Sequence, residues 1–448
     1  MKASPEVRSE IVIVGAGIAG LTAAIMLARG GRRVVCIDPM PPPRGRVGES
    51  LDWAAPPLLE QVGLPVHRVV SEGMGTVKRE VHGVSTSGQQ LVGRPPEWLA
   101  RWPLRFRFDT VHVDRERFET ALYLLAIDAG AQFLWEPVVK VEVAGDRVVR
   151  CRLRSGEWIT GRWYLDGSGR ARLFARAFGI DRLNRGPARM AAWTQTDTPQ
   201  QLPGTVLYLD DGVGELRWSW EIPLSSNRHS VGMVIPDSEF QARRRGAVGA
   251  DRLLADWLAG FPTNARPRLH DGSEAKTRAF RCYTHGRVSG GNWMMIGEAA
   301  SFVDPLTSTG VSTAMRHGVE AAEIILSTSP ATVHRTLRRF DRRVRFVSNL
   351  YNEAIEALLY SPELRNTVGH RSATRAYVIV GFGMTALYTR IGGIGPVRHG
   401  AVLAAGSLLR LWLRIWTWSV MHTLRRRRPG RQIEHVSSPT EERVSSPG

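Results

Sequence analysis

At 448 residues, with 43% hydrophobic and 23% charged residues, the chain can bury a large core in two or more interleaved domains. It is not a fibrous, small stapled or disordered protein. Its 60 basic residues against 42 acidic ones give a formal charge of +18, which draws anions, nucleic acid or acidic lipid to the surface without choosing among them. Only four of the basic residues are lysines, Lys2, Lys78, Lys140 and Lys276, so each lysine is informative. Cys36, Cys151 and Cys282 lack C-x-x-C spacing; that argues against a disulfide framework or structural zinc and fits a reducing, cytosolic setting. Met1 to Glu10 carry mixed charges and no apolar signal core, so export by that route is not expected.

Residues 10–38, EIVIVGAGIAGLTAAIMLARGGRRVVCID, read as strand, glycine turn, helix and second strand ending in an acid. Within this β-α-β unit, Gly15, Gly17 and Gly20 form G-x-G-x-x-G. Gly15 permits a tight turn, Gly17 lets a pyrophosphate approach the backbone, and Gly20 lets the helix pack close. The helix N-terminus then offers free N–H groups to phosphate, and Asp38 is placed to accept ribose hydroxyls. The unit points to a dinucleotide without saying which one.

Three later segments place glycine with a carboxylate or arginine at strand ends: VHVDRERF at Val111–Phe118, YLDGSGR at Tyr164–Arg170, and MMIGEAASFVDPLTSTG at Met294–Gly310. One long cofactor crossing the carboxyl edge of a sheet explains them jointly. Between them, Trp218 and Trp220 alternate in WSWEIP, so both indoles face one side of a strand. They are core aromatics, a wall beside a cavity, or both.

With GAGIAG, PRGRVGES at Pro43–Ser50, VHVDRERF, DGSGR, WSWEIP and GEAASFVDPLTSTG in this order, the chain resembles the flavin-dependent halogenases, a branch of the aromatic-hydroxylase-type FAD monooxygenases. The resemblance covers roughly residues 9–345. It implies that Gly15, Gly17, Gly20 and Asp38 bind the adenosine diphosphate half of FAD. Arg46, Glu49 and Ser50 would lie near the flavin edge, with Arg115, Asp166, Gly297, Glu298 and Asp304 also contacting the cofactor. The family usually has Gly-Asp where this chain has Gly297-Glu298, one methylene longer.

The resemblance further implies a flavin C4a-hydroperoxide that oxidises halide to hypohalous acid. Lys78, 29 residues after Glu49, matches the lysine that captures or positions that oxidant. Unlike an amine, guanidinium stays protonated and could not substitute. Trp218 and Trp220 would separate flavin from substrate. Ser308, Thr309 and Gly310 would bind halide or contact the flavin. Thr307 stands where halogenases of free tryptophan carry Glu, so the expected substrate is another electron-rich ring, either a small aromatic or one borne on a carrier or peptide. A partner flavin reductase is expected to supply reduced FAD.

The expected fold is α/β: an FAD-binding, Rossmann-like, mostly parallel sheet with an interleaved mixed or antiparallel substrate sheet and C-terminal helices. The FAD-binding part takes residues 9–75, 105–190 and 278–345; the substrate part takes 76–104 and 191–277. A C-terminal helical region follows at 346–424, then a disordered basic tail at 425–448. The helix HRTLRRFDRRVRF at 334–346 is expected to present a solvated arginine face. Ala401–Met421, with Arg410 and Arg414 on one face and Trp412, Trp416 and Trp418 at headgroup level, suggests a helix on the inner membrane surface or one packed over the substrate cavity. Rival readings are a hydroxylase of an aromatic, including a protein-bound Trp or Tyr, and a membrane-associated flavin reductase of prenyl lipids. A basic nucleic-acid-binding protein is disfavoured, since no recognition motif accompanies the charge.

Overall fold

The computed structural model describes residues 6–100, 109–210, 215–246, 248–270, 274–327, 329–361 and 395–426. The continuous apolar runs Ile11–Val14 and Val34–Ile37 are buried along their whole length, as strands covered on both faces must be. They pair in parallel, Ile11 opposite Val34, and extend into a five-stranded parallel sheet. Its order is Trp293–Met295, Trp163–Asp166, Ile11–Val14, Val34–Ile37, Gln132–Leu134. Helix Ile18–Arg29, almost wholly buried, packs on this sheet and against helix Gly310–Ser327. The two helices come close because a Cβ on Gly318 would lie 2.6 Å from the Ala19 carbonyl oxygen.

A seven-stranded mixed sheet forms the second layer system. Its order is Lys276–His285, Arg182–Thr196, His229–Pro236, Trp218–Pro223, Thr205–Leu209, Val81–Ser85, Gln90–Gly93. All its pairs are antiparallel except the parallel contact of Thr205–Leu209 with Val81–Ser85. The expected α/β architecture of a parallel cofactor sheet beside a largely antiparallel one is present. A two-stranded antiparallel ribbon, Gly75–Lys78 with Thr110–Val113, sets Lys78 opposite Thr110 and Thr76 opposite His112. A four-stranded sheet, Glu6–Arg8, Trp158–Thr160, Arg147–Leu153, Val138–Ala144, covers one end.

Helix Val333–Ile355 contains the arginine-rich run, but its face is not uniformly solvated. Arg343 is buried and ion-paired with Glu320 of helix Gly310–Ser327. A lone sequence cannot show this, because the partner lies on a different helix. The C-terminal helix runs Pro396–Arg426. Arg410 bonds Glu353, so it faces the protein and does not join Arg414 on a lipid-facing side. Val402 and Leu413 are buried, and Trp416 packs on the same core as Trp218 and Leu350. Leu408, Leu411, Trp412, Ile415 and Trp418 are exposed. Among the described residues, no helix is long and apolar enough to cross a membrane. The expected basic tail lies outside the described residues from 427 onward, as does 362–394 of the C-terminal region.

Candidate active site

The glycine turn after Ile11–Val14 is held by backbone. Gly15 has φ +102°, and its N–H donates to the Ile37 carbonyl at 2.7 Å. A Cβ there would lie 2.3 Å from the Gly167 carbonyl oxygen, and one on Gly20 would lie 1.9 Å from that of Gly15. Gly17 precedes the helix, where a Cβ would meet only the Arg46 guanidinium, at 3.1 Å. Asp38 ties the turn together: Ala16 N–H donates to it at 2.8 Å, Met40 N–H at 3.2 Å, and Arg44 approaches at 3.3 Å. Gly15→Ala is therefore expected to weaken FAD at least ~10-fold through turn strain and the lost approach, as read by flavin fluorescence titration.

The neighbouring strand ends bring the other predicted residues together. Asp166 is fully buried, accepts from the N–H groups of Ser168 at 2.9 Å and Phe174 at 2.8 Å, and is pushed up by burial. Arg115 opens helix Arg115–Asp128 behind the Asp114 cap. It donates to the Val47 carbonyl at 2.9 Å and the Gly48 carbonyl at 3.2 Å while pairing with Glu119. That fixes the loop carrying Glu49, whose carboxyl burial pushes up. Gly297 has φ +59° and donates its N–H to His317 Nδ1 at 3.2 Å. Glu298 uses its extra methylene to reach Arg170, at 2.7 Å. Asp304 is buried, accepts from Leu306 N–H at 3.0 Å and faces Arg189.

Ser308 is left-handed at φ +59° and leads through Thr309 to Gly310, the first residue of helix Gly310–Ser327. The Thr307 and Thr309 hydroxyls lie 3.1 Å apart. Trp218 and Trp220 are both buried, with ring centroids 5.7 Å apart. Their indoles donate to Tyr360 Oη at 2.9 Å and Ser230 Oγ at 3.2 Å. They are core aromatics, packed with Leu306, Leu350 and Tyr351.

Lys78 is only 3% exposed. Its Nζ donates to Ser50 Oγ at 2.8 Å and to the Leu51 carbonyl at 3.0 Å, and lies 4.7 Å from the centroid of the Trp53 ring. Burial pushes the ammonium down to about 7, with the Asp52 carboxylate opposing that shift. Burial likewise pushes Asp52 up to about 6, against the Ser312 hydroxyl and the Lys78 ammonium. Since the Ser312 hydroxyl lies between Asp52 and the Thr309 carbonyl, 3.1 Å from the latter, the lysine site and the 308–310 turn share one buried framework. The sequence reading missed Asp52, Trp53, His112 and Thr205. Asp52 follows the quoted PRGRVGES by two residues and His112 lies inside VHVDRERF, whereas nothing in the sequence marks Thr205.

A family model for tryptophan halogenase matches residues 107–360, more than half of the chain. The chain belongs to the tryptophan halogenase family. A model for FAD-dependent oxidoreductases matches residues 10–182. A tryptophan 2-halogenase of Chondromyces crocatus is 28% identical over 334 residues, covering 71% of this chain and 61% of the relative. A flavin-dependent halogenase of Armillaria mellea is 28% identical over 360 residues, covering 71% and 65%. The chain thus spans less than two thirds of the length of both. A 1H-pyrrole-2-carbonyl-(peptidyl-carrier protein) chlorinase of Pseudomonas fluorescens is 28% identical over 339 residues, covering 68% and 73%. Among solved structures, the flavin-dependent brominase Bmp2 superposes with a TM-score of 0.71 at 20% identity, covering 92% of this chain and 100% of that one.

FAD is the cofactor of this halogenase-family chain, and the residues present fit it. The turn at Gly15 and Gly20 has room for no side chain, and at Gly17 only the end of the Arg46 side chain approaches the start of the first helix. That combination leaves backbone N–H groups available to a pyrophosphate.

Proposed function

We propose that the protein halogenates an electron-rich aromatic ring other than free tryptophan, with Lys78 delivering the halogen. When bound, reduced FAD would supply two electrons and two protons, with which oxygen, halide and one further proton become hypohalous acid and water. The observation that carries the reading is Lys78 itself: a rare lysine, buried at the end of the ribbon strand Gly75–Lys78 against Ser50, Leu51 and Trp53, with its pKa pushed down to about 7 by burial.

A desolvated neutral amine is a nucleophile. The Lys78 amine takes the halogen from hypohalous acid with release of water, and passes it to ring carbon as the ring loses its proton to the returning amine nitrogen. The 308–310 turn and the N-terminus of its helix hold halide by backbone N–H groups. Trp218 and Trp220 stand between flavin and ring. Thr307 offers a hydroxyl and no carboxylate, which favours rings activated by their own oxygen or nitrogen. The chlorinase relative is named for a carrier-borne pyrrole, which supports a substrate presented on a carrier as well as a small phenol. Reduced FAD comes from a partner reductase.

The test is purified protein with reduced FAD, oxygen, bromide or chloride and a small phenol, read by mass spectrometry. A halogenated phenol is expected; a product carrying oxygen-18 from labelled oxygen and no halogen would make the protein a hydroxylase instead. The pH dependence has a stated sign. The reactive amine forms as pH rises through about 7, so kcat is expected to rise across that range and to level off above it, as measured at saturating substrate.

A further inference from the structure

Lys78 sits at the head of a buried line of polar side chains drawn from four separate parts of the chain. Its Nζ donates to Ser50 Oγ at 2.8 Å. Ser50 Oγ lies 3.4 Å from Thr205 Oγ1, and Thr205 Oγ1 lies 2.7 Å from His112 Nε2. His112 Nδ1 lies 3.1 Å from Thr76 Oγ1, which donates to the Pro223 carbonyl at 2.9 Å. Lys78, Ser50, Thr205 and His112 are buried, whereas Thr76 and Pro223 reach partial exposure. The line runs from the interior to the surface.

Proton counting sets its direction. Thr76 has one hydroxyl hydrogen and gives it to a carbonyl, so it accepts from His112 Nδ1–H. His112 is neutral, because burial and the Lys78 charge both hold its pKa well below the usual imidazole value. Its Nε2 is then bare and accepts from the Thr205 hydroxyl, which in turn accepts from Ser50, as Ser50 accepts from Lys78. Every donor points outward. The two elements that carry Thr76 and His112 are the paired strands of the ribbon, in register at those residues, and Ser50 bridges to His112. Thr205 comes from the large sheet and closes the gap between them.

We propose that Ser50, Thr205, His112 and Thr76 form a proton relay that carries the ammonium proton of Lys78 to solvent before the amine takes the halogen, and returns one to the halogenated nitrogen before it gives the halogen up, so that the ring proton restores the ammonium. On the outward passage Lys78 gives its proton to Ser50. The Ser50 proton moves to Thr205, that of Thr205 to His112 Nε2 and that of His112 Nδ1 to Thr76, whose hydroxyl turns from the Pro223 carbonyl to give its own proton to water. The net change is ammonium plus water to amine plus hydronium, and no relay group is left charged. His112 ends as its other tautomer, and the inward passage restores it. Asp52 and, beyond it, Arg316 are the other charged groups around this end of the site; Asp52 faces Lys78 from outside the line and sets the charge balance without lying on the path.

The inference rests on the reading of Lys78 as the halogen-delivering amine, and the four relay residues are positioning residues for it. The test uses the full FAD-bound protein. Thr205→Val keeps shape but removes the hydroxyl between Ser50 and His112. Loss of kcat on the order of 10²-fold is expected, with a changed solvent deuterium isotope effect, unchanged flavin absorbance and recovery in Thr205→Ser. Thr76→Val, on the partly exposed end, is expected to give the same loss should Thr205→Val fold poorly. A readout independent of turnover is available because there are only four lysines. With 15N-labelled lysine, the Lys78 signal is the one missing from Lys78→Met, and its exchange with solvent is expected to slow at least ~10-fold in Thr205→Val. Wild-type kcat and exchange in both valine variants would overturn the relay. If Lys78→Met halogenates at the wild-type rate, the lysine reading falls; if it is inactive while the valine variants are unaffected, the relay alone falls.

Discussion

FAD-loaded Lys78→Met is expected to lose aromatic halogenation by ~10³-fold or more while still consuming oxygen and releasing free hypohalous acid to a small-molecule trap. Methionine fills much of the same volume beside Trp53 and keeps the contact with its ring, so packing survives while the nucleophile is gone. Asp52 loses the cation that favoured its ionised form, and so stays protonated to higher pH. This limits the cost of leaving a carboxyl in the interior. Lys78→Arg is expected to fail as well, since guanidinium keeps its proton and cannot take a halogen. Parallel measurement of halogenated product and oxygen uptake separates delivery from oxygen activation. Product at the wild-type rate would sink the assignment.

What was legible in the sequence was local. The glycine turn, its helix and the acid at the end of the second strand lie within thirty residues, and the periodicity of each element is short enough to read directly. Lys78 stood out because lysine is scarce in an arginine-rich chain. Its surroundings were not legible, because Ser50, His112 and Thr205 are separated by 62 and 93 positions in the chain and meet only through a β-bridge from Ser50 to His112 and a side-chain contact from His112 to Thr205 of another sheet. Trp218 and Trp220 were read correctly as sharing a face, yet the indole partners come from Tyr360 and Ser230, and no spacing rule connects these.

The same limit explains the arginines. A run such as HRTLRRFDRRVRF shows where charge is dense but not which side chain turns inward. Arg343 does so because Glu320 waits on the preceding helix, and Arg410 does so because Glu353 lies on the helix it crosses. Glu298, read as a lengthened flavin contact, meets Arg170 of the DGSGR segment. Both residues were in quoted motifs, but their pairing depended on the parallel register of Trp163–Asp166 with Trp293–Met295.

Glu320→Ala is expected to destabilise the fold by about 3 kcal/mol, the cost of taking from a buried guanidinium the carboxylate it pairs with while Glu323 stays nearby. The Arg343 and Glu320 side chains are 1% and 2% exposed, so water cannot take the place of the lost carboxylate. Beside them, His317 is pushed down to about 3 by burial and by the Arg343 and Arg316 guanidiniums. It is therefore neutral and accepts the Gly297 N–H through Nδ1, linking the ion pair to the turn after strand Trp293–Met295. The urea midpoint reports the loss. Glu320→Ala combined with Arg343→Met should recover most of it, because a double change removes the charge that the single change strands. A single variant with the wild-type midpoint would mean that Arg343 finds another anion or reaches solvent when Glu320 is gone. Recovery in the double variant, by contrast, would show that the pair adds little net stability over an apolar contact and that its effect lies in fixing how the two helices meet behind Gly297.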